Sequence, residues 1–161
     1  MDRGNIREVR AAMEATRDEL KAEYTILQSH YDAFDARALQ IKALSGPLIA
    51  AAIGSGVATN SRSLILAAIL TALSLWTLEA IWKSFQYCYT DRIKIIEAWF
   101  REDHADRLVP FQIYAAWGEV WDRWYRHPKA LISILRQPFV YLPYAPLGLF
   151  GIISLPFIGK F

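Results

Sequence analysis

Cysteine is almost missing from this 161-residue chain: Cys88 stands alone, so neither an intramolecular disulfide nor a cysteine-based metal site can be built. Charge is scarce as well. Only 21% of residues are charged, where an ordinary soluble domain has roughly a quarter, and 18 Lys+Arg against 16 Asp+Glu leave a net +2. That balance gives no electrostatic footprint for nucleic acid. The chain also lacks a Gly-rich phosphate loop, a G-x-S-x-G elbow and an H-E-x-x-H pair, and His30, His104 and His127 hold no ligand spacing. No catalysis, cofactor or metal is therefore expected. What the chain has is apolar surface. Hydrophobic residues make up 54%, with six Trp, eight Tyr and eight Phe, and the mean hydropathy is +0.16. This exceeds what a single small core needs, so part of it must face something other than water.

Charges disappear from Ala43 to Ser61, return once at Arg62, and disappear again from Ser63 to Leu78. A helix of roughly 20 residues covers a hydrocarbon core of about 30 Å, so two spans are predicted, Ala43 to Thr59 and Leu64 to Phe85. The polar turn Thr59-Asn60-Ser61-Arg62-Ser63 between them forces a hairpin. The competing reading is a pair of core helices in a globule. A signal peptide is not expected, because about forty residues of polar helix precede the first apolar run. Seven basic residues precede the first span, one sits at the tip (Arg62) and nine lie between Lys83 and Arg136. By the positive-inside rule both flanks are cytoplasmic and the tip faces out.

A third uncharged window runs from Gln137 to Gly159. Pro138, Pro143, Pro146 and Pro156 leave only Leu147 to Leu155 free of proline, with Gly148 and Gly151 weakening even that. Backbone groups freed by proline cannot face lipid. The segment is expected to be re-entrant or interfacial, the alternative being a kinked span packed on protein.

Ahead of the membrane, Leu20, Tyr24, Leu27, Tyr31, Phe34, Ala38 and Ile41 recur at 4-3 spacing, a coiled-coil seam. Ile6 and Met13 extend the phase backward, although Arg10 and Arg17 interrupt it. The arm can fold back on its own chain or pair with a second copy, and both readings stay open. Gly46-Pro47 marks a kink or a new first turn. In the first span Gly46, Ala50, Gly54 and Ala58 form a small-residue groove, predicted to pack on the second span or on a neighbouring copy. Glu79 lies one turn after Trp76 and one turn before Lys83, near the cytoplasmic boundary. It is expected either to pair with Lys83 as an interfacial anchor or to gate or coordinate a cation. Trp76 and Trp82 would form an aromatic belt.

Phe85, Tyr89, Ile93, Ile96 and Phe100 continue a helical stripe that can pair with the arm. The charged run from Arg101 to Arg107 reads as a solvated loop. From Phe111 to Tyr125, Tyr114, Trp117, Trp121 and Trp124 recur at 3-4 spacing beside Arg123, Arg126, His127 and Lys129. This suits a helix lying in the membrane surface, with base stacking or docking on another subunit as competing uses.

The run Leu75-Trp76-Thr77-Leu78-Glu79-Ala80-Ile81-Trp82-Lys83-Ser84-Phe85-Gln86-Tyr87, followed by Arg92-Ile93-Lys94-Ile95-Ile96-Glu97, resembles a recurrent L-E-A-x-W-K-x-F-Q stretch of small bacterial inner-membrane proteins, a family that brings no established activity. The layout of polar helix, close membrane hairpin and returning helix is similar to two-span SLATT-type proteins. That resemblance implies membrane-perturbing effectors of bacterial conflict systems. The chain is shorter, has a proline-rich tail and shows no sensor domain, so a trigger would come from a partner protein or from assembly.

The expectation is an all-α membrane protein: a transmembrane helical hairpin with long cytoplasmic helices and a proline-rich re-entrant or interfacial C-terminal segment. Its parts are a coiled-coil-like arm (1–43), the hairpin (44–85), a returning helix (86–109), an aromatic amphipathic helix (110–136) and the hydrophobic tail (137–161). A self-associating, non-enzymatic inner-membrane protein is expected, with the bilayer as its partner, and without nucleic acid. Its activity would be that of an effector or pore, or else of an accessory subunit in a larger membrane complex. A membrane-embedded lipid enzyme using Glu79 or His104 ranks last.

Overall fold

The computed structural model describes residues 3–101 and 108–158, with side chains from Ala11 onward. Among these residues all the regular structure is helical and there is no strand. Helix α1 (Arg3–Ala58) is followed by α2 (Arg62–Tyr87), α3 (Thr90–Arg101) and α4 (Ile113–Val120), the last continuing into a π turn at Trp121–Tyr125. Then come α5 (Pro128–Leu135), α6 (Pro138–Tyr141), α7 (Tyr144–Ser154) and a 3-10 turn at Leu155–Phe157. Two of these helices, α1 and α2, are long and apolar enough to cross a membrane. Arg101, the first residue of the predicted charged loop, ends α3 instead; the rest of that run, with His104, falls within residues 102–107, outside the described residues, as do the side chains of Ile6 and Arg10.

Helix α1 runs through Pro47 without a break, so Gly46-Pro47 starts no new helix. Proline removes one backbone donor and leaves the carbonyl four residues earlier without it, a local loss that the surrounding 56-residue helix absorbs. The hairpin turn follows from two residues, Asn60 and Ser61. Asn60 adopts φ 50°, the left-handed conformation that asparagine tolerates better than most residues. The Ser61 amide then donates to the Gly56 carbonyl at 2.8 Å and the Asn60 amide to Val57 at 3.3 Å, the two bonds of a Schellman ending. Ser61 next caps α2, its hydroxyl accepting from the Leu64 amide at 3.4 Å.

The described residues group into two compact units, one within Met1–Ala33 and Phe85–Arg126, the other within Phe34–Ser84 and His127–Phe161. In the second unit, Ile49 and Ile53 of α1 meet Ala68 and Ala72 of α2 and Tyr144 of α7, with Leu75, Trp76 and Leu147 around them. The spacing of Ile49, Ile53 and Gly56 fixes which face of α1 turns inward. The small-residue groove therefore divides. Gly46 is buried, but Ala50, Gly54 and Ala58 are exposed, because the inward face lies about 100° around the helix from theirs. Close approach occurs elsewhere: a Cβ on Gly56 would fall 2.5 Å from Ile65 Cγ1, and one on Gly151 2.8 Å from Ile69 Cγ1.

In the first unit the seam is used within the chain. Leu20 and Leu27 are fully buried and pack with Ile93 and Ile96 of α3, flanked by Tyr24, Tyr31, Tyr89 and Phe100. Met13 is 48% exposed, so the packed seam begins at Leu20. Between the two leucines Glu23, also fully buried, accepts from Arg92 Nε at 2.8 Å and Nη2 at 2.9 Å. Its Oε2 also accepts from the Phe111 amide at 2.8 Å, and Arg92 Nη2 donates to the Val109 carbonyl at 2.7 Å. A buried pair is tolerated when its remaining lone pairs and protons find partners, and here Glu23 Oε2 and Arg92 Nη2 each find a second one. Cys88 is buried in the same unit.

Two measurements test this packing. Gly56→Ala should lower stability by about 1–3 kcal/mol through overpacking, whereas Gly54→Ala, with nothing within 4 Å of the added carbon, should hold or raise it; thermal melts in detergent compare them. Burial, with the Asp91 charge adding to it, pushes the Cys88 thiol from an ordinary value of 9.0 up to about 12. Its contribution is fully present below pH 9 and is lost as pH rises toward 12, because over that window the unfolded thiol releases its proton and the folded one does not. Cys88→Ala should flatten that part of the melting temperature profile.

Candidate functional site

The charged residues that enter the apolar part of the second unit collect at the end of the hairpin away from Arg62. Glu79 is the central one, with its side chain 6% exposed. A carboxylate in lipid is costly unless paired. Helical spacing offers Lys83 one turn along the same helix, yet each residue takes its partner from α1. Lys42 Nζ lies 2.6 Å from Glu79 Oε1, and Lys83 binds Asp35. Both pairs are neutral overall, so the cluster adds no net charge to the apolar unit. Lys83 still acts on Glu79 through its charge, less strongly than Lys42 does.

Aromatic and backbone groups complete the cluster. Lys42 also donates to the Phe139 carbonyl, and Lys83 Nζ stands 5.0 Å from the centroid of the Phe139 ring, in cation–π range. Tyr144 is buried beside Ser45 and Glu79. Neither Glu79 oxygen has an aligned hydrogen-bond partner, nor do Ser45 Oγ and Trp82 Nε1. The Lys42 ammonium and the neighbouring Tyr144 hydroxyl are what the carboxylate meets. Beside it a narrow cleft of about 20 Å³ is walled by Ile41, Leu75, Leu78, Trp82 and Tyr144. Chemically the arrangement can hold a proton or a cation on Glu79, or lock the two helices together. Among the described residues no group of three or more His, Cys, Asp or Glu could hold a metal ion.

Four of the five predicted aromatic anchors have partners within the chain. Trp76 donates to the Leu135 carbonyl at 3.0 Å, and Trp82 sits edge-on to Phe34 with centroids 5.5 Å apart. Trp117 donates to the Phe85 carbonyl at 3.0 Å and stacks on Trp121 at 5.8 Å, while Phe85 touches both rings. Trp124 alone of the five is exposed. The expected helix over 110–136 is also broken. His127 is extended, with φ −89° and ψ 136°, as the residue before Pro128 must be to avoid its ring.

The sequence pointed to Glu79 and Lys83 but missed Asp35, Lys42 and Tyr144 as their surroundings, and it missed the Glu23–Arg92 pair altogether. A signal was present for that pair: Glu23 falls three residues after Leu20 and four before Leu27, an acid on a buried face that needs a cation.

Removing Glu79 leaves Lys42 buried without its counter-charge. Glu79→Ala should destabilise the protein by about 3 kcal/mol, and Glu79→Ala combined with Lys42→Met should recover much of that loss in detergent melts. Equal melting temperatures for the two variants would contradict the pairing. No family model matches the chain, and neither a curated protein nor a solved structure matches it.

Proposed function

We propose that this chain is an integral protein of the bacterial inner membrane that self-associates and acts without catalysis, as a membrane-perturbing or pore-forming effector. One observation carries the membrane part. The most apolar 18-residue stretch of Ala11–Ala58 is only 17% buried inside the chain, and that of Arg62–Arg101 33%. Core helices of a globule bury most of such a stretch; these leave Leu44, Leu48, Leu66 and Leu70 about half exposed or more. Exposed apolar area on that scale requires lipid or another chain. The count of basic residues favours Lys42 and Lys83 on the cytoplasmic side with Arg62 outside.

Self-association is supported by the face that the chain leaves open. Ala50, Gly54 and Ala58 point outward, and small residues let a second helix approach closely in lipid. The arm's seam is already occupied by α3, so contact between copies is assigned to the membrane helices. Perturbation would follow from assembly around the Glu79 clusters, a carboxylate with lysines beside it being a polar element that lipid does not tolerate alone. A trigger would reach the protein through a partner or through its own concentration.

A second reading, an accessory subunit of a larger membrane complex, is favoured by the open aromatic edge of the other unit, where Tyr114 is 89% and Trp124 58% exposed. The bland uses of that edge are contact with headgroups and mere solvent exposure.

Dye leakage from liposomes separates the two. Leakage that rises with the protein-to-lipid ratio and changes with Glu79→Gln supports the effector. Absence of leakage at every ratio removes it, and co-purification at fixed stoichiometry with other membrane subunits then establishes the second. Release from membranes by alkaline carbonate without detergent would overturn both.

A further inference from the structure

The proline-rich tail keeps a steady register with the hairpin. Near its start, the Phe139 carbonyl accepts from Lys42, and Pro143 Cγ lies 3.4 Å from where a Cβ on Gly46 would stand. Further on, Tyr144 packs against Ile49 and Ala72, and Gly151 lies against Ile53 and Ile69. At its end, Ile158 packs on Ile65 and Ile69, and its carbonyl accepts from Arg62 Nη2 at 2.9 Å. Contacts thus advance from the lysine end of the hairpin to the turn and never double back. α6, α7 and the final 3-10 turn contain 4, 11 and 3 residues, which with their connections cover on the order of 30 Å, the thickness of a hydrocarbon core.

We infer that residues 138–158 are a third membrane crossing, with position 158 on the face of the bilayer that holds the Arg62 turn and opposite to Lys42 and Lys83. This rests on the membrane reading above and goes beyond it, replacing the re-entrant or interfacial tail expected from the prolines. An interfacial helix needs a polar face. Here no charged residue occurs from Gln137 to Gly159, and Leu149, Phe150, Ile152 and Ile153 are each more than half exposed, extending the hairpin's outer apolar surface. A re-entrant loop needs a return, and the contacts show none. The breaks that proline imposes are tolerable in lipid only where protein donors replace water. The hairpin supplies them: Lys42 at Phe139, Arg62 at Ile158 and Trp76 at the Leu135 carbonyl.

The test uses the full chain in bacterial cells, carrying after residue 161 either a phosphatase that works only outside the cytoplasm or a fluorescent protein that matures only within it. In parallel, Asn60→Cys and Arg136→Cys, each in a Cys88→Ala background, are labelled with a membrane-impermeant maleimide from either face. The inference expects roughly ten-fold or more phosphatase activity over a cytoplasmic control and loss of fluorescence, with Asn60→Cys labelled from outside and Arg136→Cys from inside. Fluorescence without phosphatase activity, with the two cysteines still on opposite faces, overturns the third crossing and leaves the hairpin intact. Both cysteines on one face overturn the membrane hairpin itself, and the inference with it.

Discussion

Two helices that turn apolar faces toward each other can slide or rotate at little cost, since apolar contacts have no direction. The ion pairs Lys42–Glu79 and Lys83–Asp35 remove that freedom. Each joins α1 to α2 with short-range, directional attraction, and each would leave a charge stranded in a desolvated place if the helices shifted by a turn. With the register fixed there, Ile49 and Ile53 meet Ala68 and Ala72, Gly56 meets Ile65, and the Asn60 turn closes without strain at the far end. The same Lys42 then holds the Phe139 carbonyl, so the pair that sets the hairpin also sets where the tail begins to climb it. Buried ionic contacts often add little net stability but can choose one arrangement among several, and the cross-helix geometry of these pairs suits that use.

The two units solve the problem of burying polar groups in different ways. In the unit that holds Glu23 and Arg92, both carboxylate oxygens accept from the guanidinium, and a loop backbone adds one further donor and one further acceptor. Around Glu79 satisfaction is incomplete: the carboxylate has a counter-charge but no aligned donor, and Ser45 Oγ and Trp82 Nε1 are buried without partners. The first pattern is that of a structural brace. The second leaves buried polar atoms short of partners, an arrangement that costs stability.

Much of the layout was legible in the residue order. The charge-free windows located α1 and α2, and Thr59-Asn60-Ser61 located the turn, because asparagine tolerates a left-handed backbone and serine caps a helix. The 4-3 spacing of Leu20 and Leu27 located the buried face of the arm. What could not be read was rotation and partnership. Gly46, Ala50, Gly54 and Ala58 form a true row, but a row does not say which way it points; Ile49, Ile53 and Gly56 form an adjacent one, and the position of the turn favours it. Local spacing offered Glu79 a partner at Lys83, and Lys42, 37 positions away in sequence, carries no mark that pairs it with α2. Pro138, Pro143 and Pro156 do mark breaks in the tail, but Pro146 sits in the first turn of α7 and does not interrupt it. Their remedy was invisible, since it depends on donors supplied by distant residues.

The bonds around Glu23 have a consequence for the continuity of the chain. They bring α1, α3 and the backbone at residues 109 and 111 to one point, so the segments before and after the charged run 102–107 are fastened independently of the peptide bonds that join them. A chain nicked by a protease within that run would keep both ends in place, migrating as two fragments once denatured but as a single species while folded.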